Sequence, residues 1–172
     1  MQQRKVTIGR TTDISLLAEN SLVVPAKVDT GADSSSIWAS SLAMDAKKGL
    51  SFVLFSHDSP LYTGQRHHTK NYKVSAVRSA HGNLQVRYKV QLTVVIEGRR
   101  VKGTFTLADR SKNTYPILIG CRLLNNKFIV DVSKGRKQKN KSLLTFNQEL
   151  KEDPVAFFNK YHHQNERGDI ES

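Results

Sequence analysis

A chain of 172 residues, 38% hydrophobic and 24% charged, has the length and composition of one folded domain with or without an appendage, and not those of a low-complexity or disordered polypeptide. Its longest apolar runs, residues 92–96 and 117–119, fall far short of the roughly 20 residues of a membrane-spanning helix, and one cysteine excludes an intrachain disulfide framework. Twenty-seven Lys and Arg against fifteen Asp and Glu leave a net charge of +12, which attracts anionic partners and says nothing about fold.

In chain order the pattern is one of short strands. Residues 1–5 carry no apolar signal segment, which favours the cytoplasm; a chain trimmed of its leader would read the same and would fit the periplasm. Residues 5–8 alternate, and 22–28 are rich in β-formers, with Pro25 marking an edge or a strand start. Residues 36–46 have the length for a turn or two of helix. Residues 50–55 read as a strand, and 56–72, polar and aperiodic, as a long loop. Residues 74–77 and 84–90 flank His81-Gly82-Asn83, a hairpin signal; residues 92–96 turn at Glu97-Gly98 into 101–107 as a second hairpin. Apolar runs at 117–119 and 128–132 suit a β core, with a short helix over 122–126 between them. Residues 134–141 carry five positive side chains and no negative one, and read as a linker. A C-terminal helix follows over 153–161, with Asp153 as N-cap and Pro154 in the first helical position. The expected fold is mainly β, a small closed or folded-over barrel with one or two short helices. Residues 1–133 form the barrel domain, and 134–172 form a basic linker and short helical tail.

The sharpest chemical feature is Asp29-Thr30-Gly31-Ala32. An apolar strand delivers Asp29 into a tight turn where Gly31 tolerates dihedrals closed to other residues and permits close approach. The Thr30 hydroxyl can lock the turn against a neighbour. A rigidly held carboxylate suits acid–base chemistry; the same residues also serve as an Asx-turn closing a strand. A second feature is the apolar strand Ile117-Leu118-Ile119 ending at Gly120. Asp33 reads as a cap on the turn or on the segment after it, Ser34 to Ser36 as a polar turn, and Cys121 as a buried structural thiol. Asp109-Arg110 reads as an ion pair. His67-His68 and His162-His163 read as solvated, because adjacent side chains diverge. There is no His-Glu-x-x-His, no Cys-x-x-Cys and no phosphate loop ending in Lys-Ser or Lys-Thr, so neither metal nor cofactor is expected. The basic run lacks a nucleic-acid motif or an aromatic platform, and nucleic acid is not the expected partner.

Asp29-Thr-Gly-Ala32 and the later Ile119-Gly120 strand end together resemble the paired signatures of retropepsin-like aspartic proteases. Within that superfamily, residues 26–32, 77–82, 87–88, 107–110, 115–120 and 128–131 resemble the RimK/LysX-associated group labelled ATP-dependent zinc proteases, over about residues 5–133. Cys121 departs from the arginine that commonly follows the glycine, and the methionine usual before Tyr115-Pro116 is missing. The resemblance implies a closed acid-protease barrel with Asp29 as the catalytic acid. It implies that Thr30, Gly31, Ala32, Ile119 and Gly120 support the catalytic loop, that His81, Gly82 and Asn83 form a flap, and that an ATP-grasp ligase is a partner. Aspartic proteolysis needs two carboxylates sharing a proton. One Asp-Thr-Gly per chain therefore requires a homodimer contributing Asp29 from each subunit. The expected function is metal-free endoproteolysis of peptide or protein substrates; the alternative is a non-catalytic peptide-binding module of the same fold beside an ATP-grasp peptide ligase. Ala32 cannot donate the hydrogen bond that a serine there would give the carboxylate, which places the expected activity at weakly acidic to neutral pH.

Overall fold

Alternation of apolar and polar residues turns into alternation of burial. Along the 13-residue strand from Leu84 to Ile96 the side chains of Val90, Leu92, Val94 and Ile96 point into the core, and their neighbours do not. The computed structural model describes residues 4–47, 49–78, 84–135 and 141–162. Its strands are β1 (Val6–Gly9), β2 (Thr11–Leu16), β3 (Leu22–Val28), β4 (Ser35–Met44), β5 (Leu50–Leu54), β6 (Arg66–Thr69), β7 (Tyr72–Arg78), β8 (Leu84–Ile96), β9 (Arg99–Ala108), β10 (Ile117–Ile119) and β11 (Phe128–Asp131). The helices are α1 (Cys121–Leu124), α2 (Lys141–Glu152) and α3 (Pro154–His162), with a 3-10 turn at Leu17–Glu19.

Six strands close a ring. The order β10–β3–β2–β8–β9–β4 returns to β10, because β10 pairs with β3 in parallel and with β4 antiparallel. The expected closed β-barrel is therefore present. Its interior is filled by branched aliphatic and aromatic side chains, with Ile14, Val24, Ile37, Val94, Phe105 and Ile117 all fully buried. Outside the ring, β5 and β6 extend the sheet from β4, β7 pairs with β8 as a long hairpin, and β1 pairs with β11 in a separate two-stranded parallel sheet. The turn between β8 and β9 has positive φ at both Glu97 and Gly98, the two-residue type that matches strand twist.

Three expectations need correction. Residues 36–46 are not helical: β4 runs Ser35–Met44, gripped in parallel by β9 and antiparallel by β5, and tertiary pairing overrides the helix-compatible Ala and Ser. The loop over 56–72 contains β6, a polar strand formed because it satisfies the open edge of β5. Pro25 lies inside β3, and of the two readings given for it, an edge or a strand start, the structure fits the edge. It is tolerated because β10 takes up the second flank of β3 only from Ala26 onward. The tail contains a second helix, α2, ahead of the expected α3.

By compactness the chain divides into residues 1–136 and 137–172. Of the basic run expected as a linker, residues 136–140 lie outside the described residues. In the second unit, α2 and α3 meet through Phe146, Phe157 and Tyr161. Asp153 caps α3 as expected, its Oδ1 accepting the N–H groups of Val155 (3.0 Å) and Ala156 (2.9 Å).

Candidate active site

Strand β3 ends at buried Val28, and its pairing fixes where Asp29 leaves the sheet. The Asp29 N–H donates to the Ile119 carbonyl at 2.9 Å, and the Val28 N–H to the Arg10 carbonyl at 2.9 Å. The carboxylate is oriented by its own loop: Oδ1 accepts the Gly31 N–H at 3.0 Å, while the Asp29 carbonyl accepts the Ala32 N–H at 3.3 Å. Asp29 is half-buried, and the Thr30 side chain beside it is exposed.

The segment after β10 lies along this loop. Ala32 O accepts the Cys121 N–H at 2.7 Å and Asp33 O the Arg122 N–H at 3.1 Å. Gly120 sits where no side chain fits: a Cβ there would stand 2.6 Å from the Ser34 carbonyl carbon and 2.7 Å from Ala32 O. Its N–H donates to the buried Ser35 hydroxyl at 3.1 Å. Thr30, Gly31, Ala32, Ile119 and Gly120 are thus brought together with Asp29, across 91 residues of sequence between Asp29 and Gly120 (120 − 29).

Cys121 is not a fully buried thiol. It is half-buried, with Sγ donating to the Thr30 carbonyl at 2.8 Å, so it touches the Asp29 loop. Asp33 caps nothing; its exposed carboxylate lies 3.9 Å from the Arg122 guanidinium. Asp109 and Arg110 do not pair. Asp109 accepts the Ser111 N–H at 2.9 Å, which pulls its pKa below the usual carboxylate range. Arg110 turns inward, donating through Nε to the Tyr115 carbonyl (3.1 Å) and through Nη1 to Ser36 Oγ (3.0 Å). Burial, with Arg87 nearby, pushes the Arg110 pKa below its ordinary value. Arg110 and Ser35 are the members of this framework that sequence reasoning missed. Of the three serines read as a polar turn, Ser35 and Ser36 open β4, and only the pairing partners reveal it.

The flap candidates His81, Gly82 and Asn83 lie outside the described residues, between the paired strands β7 and β8. His67 is not solvated: it is half-buried in β6, stacked on Phe52, with Nε2 against Oε1 of buried Glu19, whose Oε2 accepts the Thr63 hydroxyl. His68 is exposed, and His163 lies outside the described residues. Among the described residues, no three His, Cys, Asp or Glu side chains gather as a metal site, and no helix is long and apolar enough to cross a membrane.

A family model described as RimB-like, retropepsin-like aspartic endopeptidase RimB, matches residues 7–141. The chain belongs to the RimB-like family. That agrees with the resemblance carried by Asp29-Thr-Gly-Ala32 and the Ile119-Gly120 strand end. Two curated relatives, from Shewanella halifaxensis and Shewanella pealeana, are each named "Probable alpha-L-glutamate ligase"; both are 26% identical over 139 residues, covering 78% of this chain. The match spans only 30% of the length of each of those relatives. A solved structure of a Legionella pneumophila protein of unknown function superposes with a TM-score of 0.59 at 21% identity, covering 79% of this chain and 100% of that one. Its likeness to this RimB-like chain is one of fold.

Proposed function

We propose that this protein is an aspartic endopeptidase working as a homodimer, each subunit supplying Asp29. The observation that carries this reading is a half-exposed Asp29 in an Asp-Thr-Gly loop immobilised by the Ile119–Arg122 segment. In the proposed reaction one Asp29 carboxylate takes a proton from water as the oxygen attacks the scissile carbonyl. The other, protonated, donates a hydrogen bond to the carbonyl oxygen. Collapse of the tetrahedral intermediate breaks the C–N bond as a proton passes to the leaving nitrogen, and the pair again shares one proton. Two like charges cannot both ionise at close range, which is what keeps one acid and one base in place near neutral pH.

The substrate we propose is a peptide rich in acidic residues. A net charge of +12 favours its encounter, and the ligase name of the Shewanella relatives points to glutamate chemistry beside this fold. An ATP-grasp glutamate ligase is accordingly the proposed working partner.

The test is Asp29→Asn. The amide is nearly isosteric, so fold and dimer persist, but it can neither activate water nor share the proton. Cleavage of acidic peptides, followed by mass spectrometry, should fall by about 10³-fold or more, while zinc chelators leave the wild type unaffected. An Asp29→Asn protein that still cleaves, or a wild type silenced by chelation and restored by zinc, overturns the aspartic mechanism.

A further inference from the structure

The helical hairpin of the second unit is too small to be stable on its own. Helix α2 has 12 residues and α3 has 9, and isolated helices of that length are marginal in water. Phe146, Phe157 and Tyr161 hold the pair together, and Lys160 bonds Glu149 across it at 3.0 Å. Yet no side chain between residues 145 and 161 is fully buried. Phe146 and Leu150 of α2 are exposed, as are Val155 and Phe158 of α3, Val155 to 70% and Phe158 to 54%. A helix pair that shows apolar residues from both members needs a surface on which to lay them. The match to the family model ends at residue 141, so the hairpin lies beyond the part of the chain for which that family accounts.

Charge decides which surface. The hairpin itself is neutral, with Lys141, Lys151 and Lys160 matching Glu149, Glu152 and Asp153. Two of those acids are committed internally, Glu149 to Lys160 and Asp153 to the cap of α3. The seven residues that precede it in sequence, 134–140, add four positive side chains and no negative one. A nucleic acid would answer that charge and gain little from Leu150 and Val155, which cannot stack on a base. A second copy of the chain would cover the apolar residues and gain nothing from the charge. The surface of an anionic bilayer uses both. Aliphatic and aromatic side chains enter the boundary between headgroups and acyl chains, while the positive residues that lead into them are drawn to the lipid phosphates.

We propose that the α2–α3 hairpin is a reversible docking element for an anionic lipid surface, with Leu150, Val155 and Phe158 as inserting side chains. Three side chains give only weak attachment by themselves, and the neighbouring positive charge supplies the second signal that makes it effective. That second signal is screened by salt, so docking is strongest on anionic lipid at low ionic strength. The inference does not depend on the endopeptidase reading, because none of its residues belongs to the Asp29 loop.

The experiment is co-sedimentation of the full chain with vesicles of two compositions, phosphatidylcholine alone and phosphatidylcholine mixed with phosphatidylglycerol in equal parts. The partition coefficient should be about tenfold or more higher on the mixed vesicles, and raising sodium chloride from about 0.1 M to about 0.5 M should remove most of that difference. The double variant Leu150→Gln/Val155→Gln, which keeps straight-chain helix formers in place, should partition about tenfold less, the worth of roughly two buried methylene groups. Val155→Phe should partition about threefold or more better, a gain that loss of the helices would not produce. Equal partition onto both vesicles, no measurable partition onto either, or a preference that all these substitutions leave unchanged overturns the docking element. Octauridylate binding without vesicle binding overturns it in favour of a nucleic-acid surface. A concentration-dependent dimer that the double variant abolishes, again without vesicle binding, overturns it in favour of a second copy.

Discussion

Gly120 shows how much a single position can decide. A methyl group there would press on backbone atoms of Ala32 and Ser34 at 2.6–2.7 Å, and backbone cannot rotate away as a flexible side chain can. Gly120→Ala should cost about 1–3 kcal/mol, the range for overpacking a well-filled site. The strain falls on the loop that carries Asp29, so activity per folded molecule should drop as well. Gly31→Ala is milder, because its Cβ would meet only Asp29 Oδ1 at 3.4 Å. Urea unfolding of the two variants decides the matter; a Gly120→Ala protein as stable as the wild type would contradict the geometry. At this scale the site was half legible. An aspartate before Thr-Gly and a glycine closing an apolar run announce themselves in sequence, because each residue type has few other reasons to be there. Ser35, Arg110 and Cys121 act through partners 74 to 91 residues away, and no local pattern records such a distance.

Elements were legible where one local signal dominated. The Glu97-Gly98 turn and the Asp153 cap each impose their own backbone geometry. Strands β4 and β6 were not, because Ser and Ala make up six of the ten residues of β4 and β6 reads Arg-His-His-Thr, and pairing with β9 and β5 makes them strands. Helix α2 could have been found: Leu143, Phe146 and Leu150 recur at helical spacing. The Glu19–His67–Thr63 cluster is likewise invisible in sequence, yet it ties the connection before β6 to the 3-10 turn after β2. Glu19→Ala deletes a buried group hydrogen-bonded to both partners, and at about 0.5–1.5 kcal/mol per lost bond the cost is about 1–3 kcal/mol. Denaturant melts should show a loss of that size, with the Asp29 loop undisturbed and activity per folded molecule retained. A variant as stable as the wild type would mean that the cluster contributes nothing to holding these elements.

At the scale of the molecule, every buried aliphatic or aromatic residue of the core, among the described residues, falls between Ile8 and Phe128. A chain ending at Arg136 should therefore fold with a cooperative thermal transition close to that of the full protein. Aggregation or a non-cooperative melt of the shortened chain would show that the barrel depends on residues 137–172. Closure of the barrel rests on β10, three residues long, which joins β3 to β4 only after about 90 residues of intervening chain have found their places. The backbone contacts that pin the Asp29 loop from across the sheet come from that strand and the three residues after it. As the chain emerges from a ribosome, Asp29 is exposed early, and the partners that organise it are not yet made until residue 122 has left the exit tunnel. The acidic centre is thus timed by topology: a nascent or truncated chain carries the aspartate but not the backbone contacts around it, and under the endopeptidase function proposed above such a chain should be unable to cut its neighbours.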